Sequence, residues 1–219
     1  MKTLTDATGD VTTFTYDAAG NIASITDAKG NKNTLSYNAQ NNLAGNENAL
    51  SNSIKYTYDP MSNVLSVTDF DGNQTTYTYT PLKQLATITS PIAGKTTYRY
   101  DPTTGLLTTT ADAAGHKWTY TYGPVGRLTK ITAGNADIVF TYDQGANGAG
   151  RLSGVTNTNK EALIFAYNPF GSITEMNATD AGTTYKLAPI PSALNPSPTP
   201  MAKWWITLIT KPVMCLVSL

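Results

Sequence analysis

A carboxylate recurs at Asp17, Asp59, Asp101 and Asp143. Two carboxylates flanking one cleft can hydrolyse a glycosidic bond, one as acid and one as nucleophile or base. Asp69, Asp71 and Asn73 place oxygens at alternate positions around Gly72, as the opening of a calcium loop does. His116 is the only histidine and Cys215 the only cysteine. Tyrosines spread evenly along the chain offer a stacking platform for sugar rings. Each feature also has a plainer reading. The calcium pattern lacks the bidentate glutamate that completes an EF-hand. His116 follows a turn glycine, at the place of Asn31 and Asn73, with no other histidine or nearby cysteine. It therefore reads as a turn residue, not a metal ligand or triad base. The aspartates repeat one turn, whereas catalysis needs a distinctive cleft. No catalytic, cofactor-binding or metal-ligating residue is assigned, and the chain is expected not to be an enzyme.

The elements that carry these residues are repeats. A tyrosine recurs at Tyr16, Tyr37, Tyr58, Tyr79, Tyr100, Tyr122, Tyr142 and Tyr167, at spacings of 21, 21, 21, 21, 22, 20 and 25. Two positions earlier stands Phe14, Leu35, Tyr56, Tyr77, Tyr98, Tyr120, Phe140 or Phe165. A turn follows, with Gly20, Gly105, Gly126 and Gly171 at the bend. An aliphatic then recurs at Ile22, Leu43, Val64, Leu85, Leu107, Leu128, Leu152 and Ile173. Many units close on a second turn, such as the segment 69–73. Alternation such as Thr-Tyr-Thr-Tyr puts both aromatics on one strand face. Asp accepts a backbone hydrogen bond at the turn, and Gly tolerates positive φ. Each unit is thus a hairpin of about 21 residues, which gains stability from stacked neighbours. In the second strand the apolar residues lie three apart, as Ile22 and Ile25 do. A bulge or two buried faces would each explain that spacing. The tyrosine ladder suits packing between strands as well as sugar stacking.

Composition agrees with strands. The chain has 219 residues, of which 37 are Thr, 18 Asn and 13 Tyr, and only 14% are charged. Lys plus Arg and Asp plus Glu are 15 each, so the net charge is zero. Without a basic cluster, nucleic-acid binding is not expected. A single cysteine excludes an internal disulfide framework. The N-terminal segment lacks the apolar core of a signal peptide. The chain is expected to be an internal piece of a longer protein or to leave the cell without such a peptide. The most apolar stretch, 204–219, is broken by Lys211 and Pro212, and falls short of the roughly 20 residues that span a bilayer.

The pattern G-x-x-T-x-Y-x-Y-D-x-x-G-x-L-x-x-[IV]-T-D resembles the YD repeat of the Rhs family. Residues 72–89 and 115–132 show it well, as does 16–27, and the resemblance covers roughly residues 3–186. It implies an all-β fold: tandem hairpins in a long antiparallel sheet that curls as part of a hollow shell. In bacterial members that shell encloses a C-terminal toxin before delivery. The resemblance thus implies a non-catalytic section of a secreted or surface-delivered scaffold. Its partners would be neighbouring repeats of a longer parent protein and an encapsulated toxin polypeptide. An alternative it carries is a cell-surface module that binds carbohydrate or protein. The family's closing segment before the toxin, with its cleavage motif, has no counterpart here. The second copy has Asn41 and Asn42 at the turn and loses the second aliphatic; the fourth has Thr80 and Lys83. Eight copies are too few to close a shell.

Residues 1–186 are therefore expected to form the repeat array, with the start of a ninth copy at 182–186. A tyrosine is due at 187, but Leu187 stands there and a Pro-rich, aperiodic tail follows to residue 219. Read from the third base of each codon, Met201-Ala202 encodes Gly and Met214-Cys215 encodes Val. Their spacing of 13 equals that from Gly30 to Leu43 and from Gly72 to Leu85. The tail is read as out-of-frame translation of further repeats and expected to be disordered. The rival is a Pro-rich linker leading to an amphipathic, membrane-seeking segment. The coding DNA decides: the shifted frame is expected to stay open to the end, and a stop codon in it contradicts this reading.

Overall fold

Strands built on this alternation need partners on both sides, and the chain supplies them in order. The computed structural model describes residues 1–180 and 182–187. Beyond Leu187 the tail, its out-of-frame reading and Cys215 lie outside the described residues. The chain divides into two units, residues 1–97 and 98–219. In the first, β1 (Lys2–Thr5), β2 (Val11–Tyr16), β3 (Ile22–Thr26), β4 (Lys32–Tyr37), β5 (Leu43–Glu47), β6 (Ser53–Tyr58), β7 (Val64–Thr68), β8 (Gln74–Tyr79) and β9 (Leu85–Ser90) form an antiparallel meander. β10 (Gly94–Tyr100) pairs with β9 through its first residues and carries the chain out of this unit. In the second, β11 (Leu107–Ala111), β12 (Lys117–Tyr122), β13 (Leu128–Ala133), β14 (Ala136–Tyr142), β15 (Leu152–Asn157), β16 (Ala162–Tyr167), β17 (Ile173–Asp180) and β18 (Thr183–Leu187) continue the same way. All belong to one sheet, and no helix occurs among the described residues.

The register resolves the three-residue spacing in favour of a bulge. Thr15 pairs with Ser24 but Tyr16 pairs with Ile22, so Ala23 is the extra residue. Phe14 meanwhile faces Ile25. The extra residue returns Ile22 and Ile25 to one face, where they meet Tyr16 and Phe14. The same shift recurs before Tyr37, Tyr58, Tyr79, Tyr122, Tyr142 and Tyr167. The opposite face carries hydroxyls. Thr15 meets Ser24, Thr57 meets Ser66 and Thr78 meets Thr87, each oxygen pair 2.7 Å apart.

The turns are closed by one device. In the turn between β2 and β3, the Asp17 and Gly20 N–H groups donate to the carbonyls of Asn21 and Asp17, and Gly20 takes φ 90°. One Asp17 oxygen accepts from the N–H of Ala19 (2.9 Å) and of Asn21 (2.8 Å), and the other from Asn21 Nδ2 (3.0 Å). This is a type I turn closed by a left-handed residue, which fits a hairpin. Gly105, Gly126 and Gly171 also have positive φ. The drifted copies keep the turn: Asn41, Ser62 and Lys83 adopt φ of 68°, 66° and 62°. Asn tolerates that region, whereas Lys is strained in it.

Burial is thin, as a single layer requires. Trp118, Ile138, Val155 and Ala178 are the buried apolar residues among those described. Ile138 and Val155 pack with Ile131, Phe140, Leu152, Leu163 and Phe165 in the second unit. One apolar position is misfilled. Asn46 stands between Leu35 and Ile54, at the place that Ile25, Val67 and Ile88 hold elsewhere. Its Oδ1 is buried without a hydrogen-bond partner. Such an atom costs about 1–3 kcal/mol. Asn46→Val is expected to raise the melting temperature by roughly 2–4 °C, the shift for about 1 kcal/mol in a chain of this size. An unchanged or lower melting temperature contradicts that assignment.

Candidate functional site

Five of the tyrosines that recur in register do one job: each binds its hairpin to the one before it. The phenol hydroxyl of Tyr37 donates to the carbonyl of Ile22 at 3.0 Å. Tyr58 reaches Leu43 (2.7 Å), Tyr79 reaches Val64 (2.8 Å), Tyr142 reaches Leu128 (2.8 Å) and Tyr167 reaches Leu152 (2.7 Å). The acceptor is each time the recurring aliphatic of the preceding unit, 14 or 15 residues earlier. The strand's alternation aims the ring along the apolar face, and the turn-and-bulge geometry sets its height. Burial, chiefly, pushes the phenol pKa of the tie donors Tyr58 and Tyr79 up, as it does for Tyr100 and Tyr122. Tyr16, in the first complete hairpin, lies under the Lys2 ammonium at 5.7 Å.

Further ties run along the turns. Asn21 and Asn41 exchange amide hydrogen bonds, and Asn42 Nδ2 donates to Ser62 Oγ at 2.7 Å. In the second unit cations take over this edge. The Arg127 guanidinium lies 4.5 Å from the Tyr142 ring centroid and forms a bidentate pair with Asp143. Arg151 lies 5.6 Å from that of Tyr167. Arg127 and Arg151 each immediately precede the aliphatic whose carbonyl the stacked tyrosine binds. This pairing had no signal in the repeat pattern.

The residues that could have done chemistry are occupied elsewhere. Asp59 accepts from the N–H of Met61 and Asn63 and from the Asn63 amide. Asp101 accepts from Thr103 N–H and from both Thr104 N–H and its hydroxyl. Asp69 caps its own turn through Asp71 and Asn73. His116 Nδ1 sits 2.7 Å from Asp112 Oδ2, doing what the amides of Asn31 and Asn73 do for Asp27 and Asp69. The sequence-assigned residues thus meet in pairs along the sheet and turns, not around one centre. An open groove of about 330 Å³ does lie between two successive turns of the first unit. Asp59, Met61, Asn63, Tyr77, Tyr79 and Lys83 are among its lining residues. No helix of the described residues is long and apolar enough to cross a membrane.

The RHS Repeat family model matches residues 2–32, 37–74 and 102–138. No curated protein matches the chain. Among solved structures, the crystal structure of TcdB2-TccC3-Cdc42 is similar, with a TM-score of 0.53 at 21% identity over 82% of this chain and 10% of that one. The Photorhabdus luminescens Tc holotoxin pore carrying TccC3-D651A gives a TM-score of 0.51 at 20% identity over 81% and 9%. The chain therefore spans about a tenth of the length of the solved chains it matches. These likenesses establish the fold.

Two measurements test the tie and the turn. Tyr58→Phe leaves the Leu43 carbonyl without its donor and is expected to cost about 1 kcal/mol. Tyr56→Phe is expected to be neutral within about 0.5 kcal/mol, since Phe or Leu fills that position in other copies. Equal effects of the two substitutions in urea melts contradict the tie. Side-chain amides, chiefly, hold the carboxyls of Asp17, Asp27, Asp59 and Asp69 below the ordinary 3.8. Native pKa values below the unfolded ones give stability that is complete above the unfolded value and lost as pH falls through the native ones. The melting temperature is expected to drop below about pH 4 as these turns protonate, and a chain equally stable at about pH 2 contradicts it.

Proposed function

From a chain of RHS repeats in an open antiparallel sheet, we propose a non-catalytic wall section of a larger Rhs-type scaffold. The larger protein would be secreted or displayed at the cell surface and enclose a C-terminal toxin polypeptide before delivery. The observation that carries this reading is the tyrosine tie: the recurring residues are used to join hairpins to hairpins. A sheet assembled that way can be extended without limit and needs no closed core. One face carries Tyr, Phe, Ile and Val in thin burial, suited to shield an unfolded polypeptide from water and from proteases. Its partners would be further repeats of the same parent, extending the sheet strand by strand. The likeness to TccC3-containing structures supports the wall architecture. The cargo is inferred from the family resemblance.

The groove beside Tyr77, Tyr79, Asp59 and Lys83 favours a second reading, a carbohydrate-binding surface module. Expression of the repeats within a longer chain that carries a C-terminal polypeptide distinguishes the two. The wall reading predicts a C-terminal polypeptide that resists protease until the wall is denatured. Cleavage of that polypeptide in the intact protein, with saturable binding of residues 1–186 on a glycan array, replaces the first reading with the second.

A further inference from the structure

The turn between β14 and β15 is the longest irregular connection among the described residues, running from Asp143 to Arg151. It carries the only Asn-Gly pair of the chain, Asn147-Gly148. The fold favours the first residue of this dipeptide and requires the second. Asn147 adopts φ 58°, a region that Asn tolerates better than most residues. A Cβ on Gly148 would stand 1.9 Å from the carbonyl oxygen of Gln144, so no other residue fits there. Asn followed by Gly is also the pair in which the next backbone nitrogen attacks the side-chain amide most readily, because glycine has no side chain to obstruct it.

We propose that Asn147-Gly148 is a site of spontaneous covalent modification that unfastens one tie between repeats. The Gly148 nitrogen gives its proton to solvent base and bonds to Asn147 Cγ. The Cγ–Nδ2 bond breaks, and that nitrogen takes up a proton and leaves as ammonia. Water then opens the resulting succinimide at either carbonyl, giving aspartate or isoaspartate. The group lost is a working donor. Asn147 Nδ2 donates to the carbonyl of Tyr167 at 3.0 Å, joining this turn to the next repeat. A carboxylate in its place cannot donate and repels that carbonyl.

The native turn gates the reaction. Gly148 N–H donates to Gly145 O at 3.3 Å, a long bond. Arg151 holds the loop from its far side, with Nη1 2.9 Å from the Asn147 carbonyl and 3.3 Å from that of Ala149. Attack requires the side chain to leave Tyr167 and the turn to open.

The full chain is incubated at mildly alkaline pH, natively and in concentrated urea, and mapped by peptide mass spectrometry. The expected result is a gain of one mass unit in the peptide holding residue 147 before any other asparagine reacts, faster in urea than natively. Arg151→Ala is expected to speed the native reaction roughly fivefold by freeing the loop, and to leave the rate in urea unchanged. Asn147→Gln is expected to abolish the early mass gain. Earlier modification at another asparagine overturns the proposal. So does a native rate equal to that in urea in the parent chain while circular dichroism shows it folded. A folded Arg151→Ala chain that reacts no faster than the parent does the same.

Discussion

A hydroxyl-to-carbonyl bond spanning 15 residues is the interaction on which this molecule depends. A two-stranded hairpin buries too little to persist alone in water. Each repeat therefore needs the next, and the register tyrosine supplies the contact. Its ring covers the apolar face of its own hairpin, while its hydroxyl satisfies a carbonyl in the preceding one. An unpaired carbonyl left under that ring would cost more than the bond itself contributes. At Tyr37, Tyr58, Tyr79, Tyr142 and Tyr167 the position uses both a large ring and a terminal donor, whereas Phe and Leu enter two residues earlier.

The bulge and the turn serve that contact. Were Ala23 and its counterparts paired as ordinary strand residues, Ile22 and Ile25 would point to opposite faces and the apolar strip would be broken at every such repeat. The capped turn fixes where the second strand begins, and with it which carbonyl the next tyrosine meets. Turn chemistry is conserved in geometry even where the residues drift. Asn38 replaces Asp with its own amide oxygen, accepting the N–H groups of Gln40 and Asn42. Lys83 accepts a strained φ rather than abandon the turn. The turns also engage the recurring carboxylates: Asp17, Asp59 and Asp101 accept hydrogen bonds from their own turns, and Asp143 pairs with Arg127.

Much of this was legible in the residues. Period-two alternation, turn residues and a fixed repeat length define hairpins, and the resemblance to YD repeats extends them to a sheet. His116 was readable as a turn residue because its place in the repeat was that of Asn31. The choice between a bulge and two buried faces was not legible, since Ile22 and Ile25 fit either until the pairing of Thr15 with Ser24 is known. The tyrosine tie was also hidden, because its acceptor is a backbone carbonyl, which every residue has. The cation stacking of Arg127 and Arg151 occurs in single copies and leaves no period to detect. Asn46 was visible as a lost aliphatic, but its cost depends on burial that only three dimensions reveal.

An array of mutually dependent hairpins differs from a globular domain in how it loses stability. Its free energy is a sum of repeat terms and nearest-neighbour terms, with no central core to breach. The direct test is to shorten the array of residues 1–186 by one repeat at a time from either end and follow unfolding in urea. Interface-dominated stability predicts midpoints that fall step by step with each repeat removed, and a steeper transition in the longer arrays. A midpoint that stays constant with repeat number, showing that hairpins stand alone, would contradict the account.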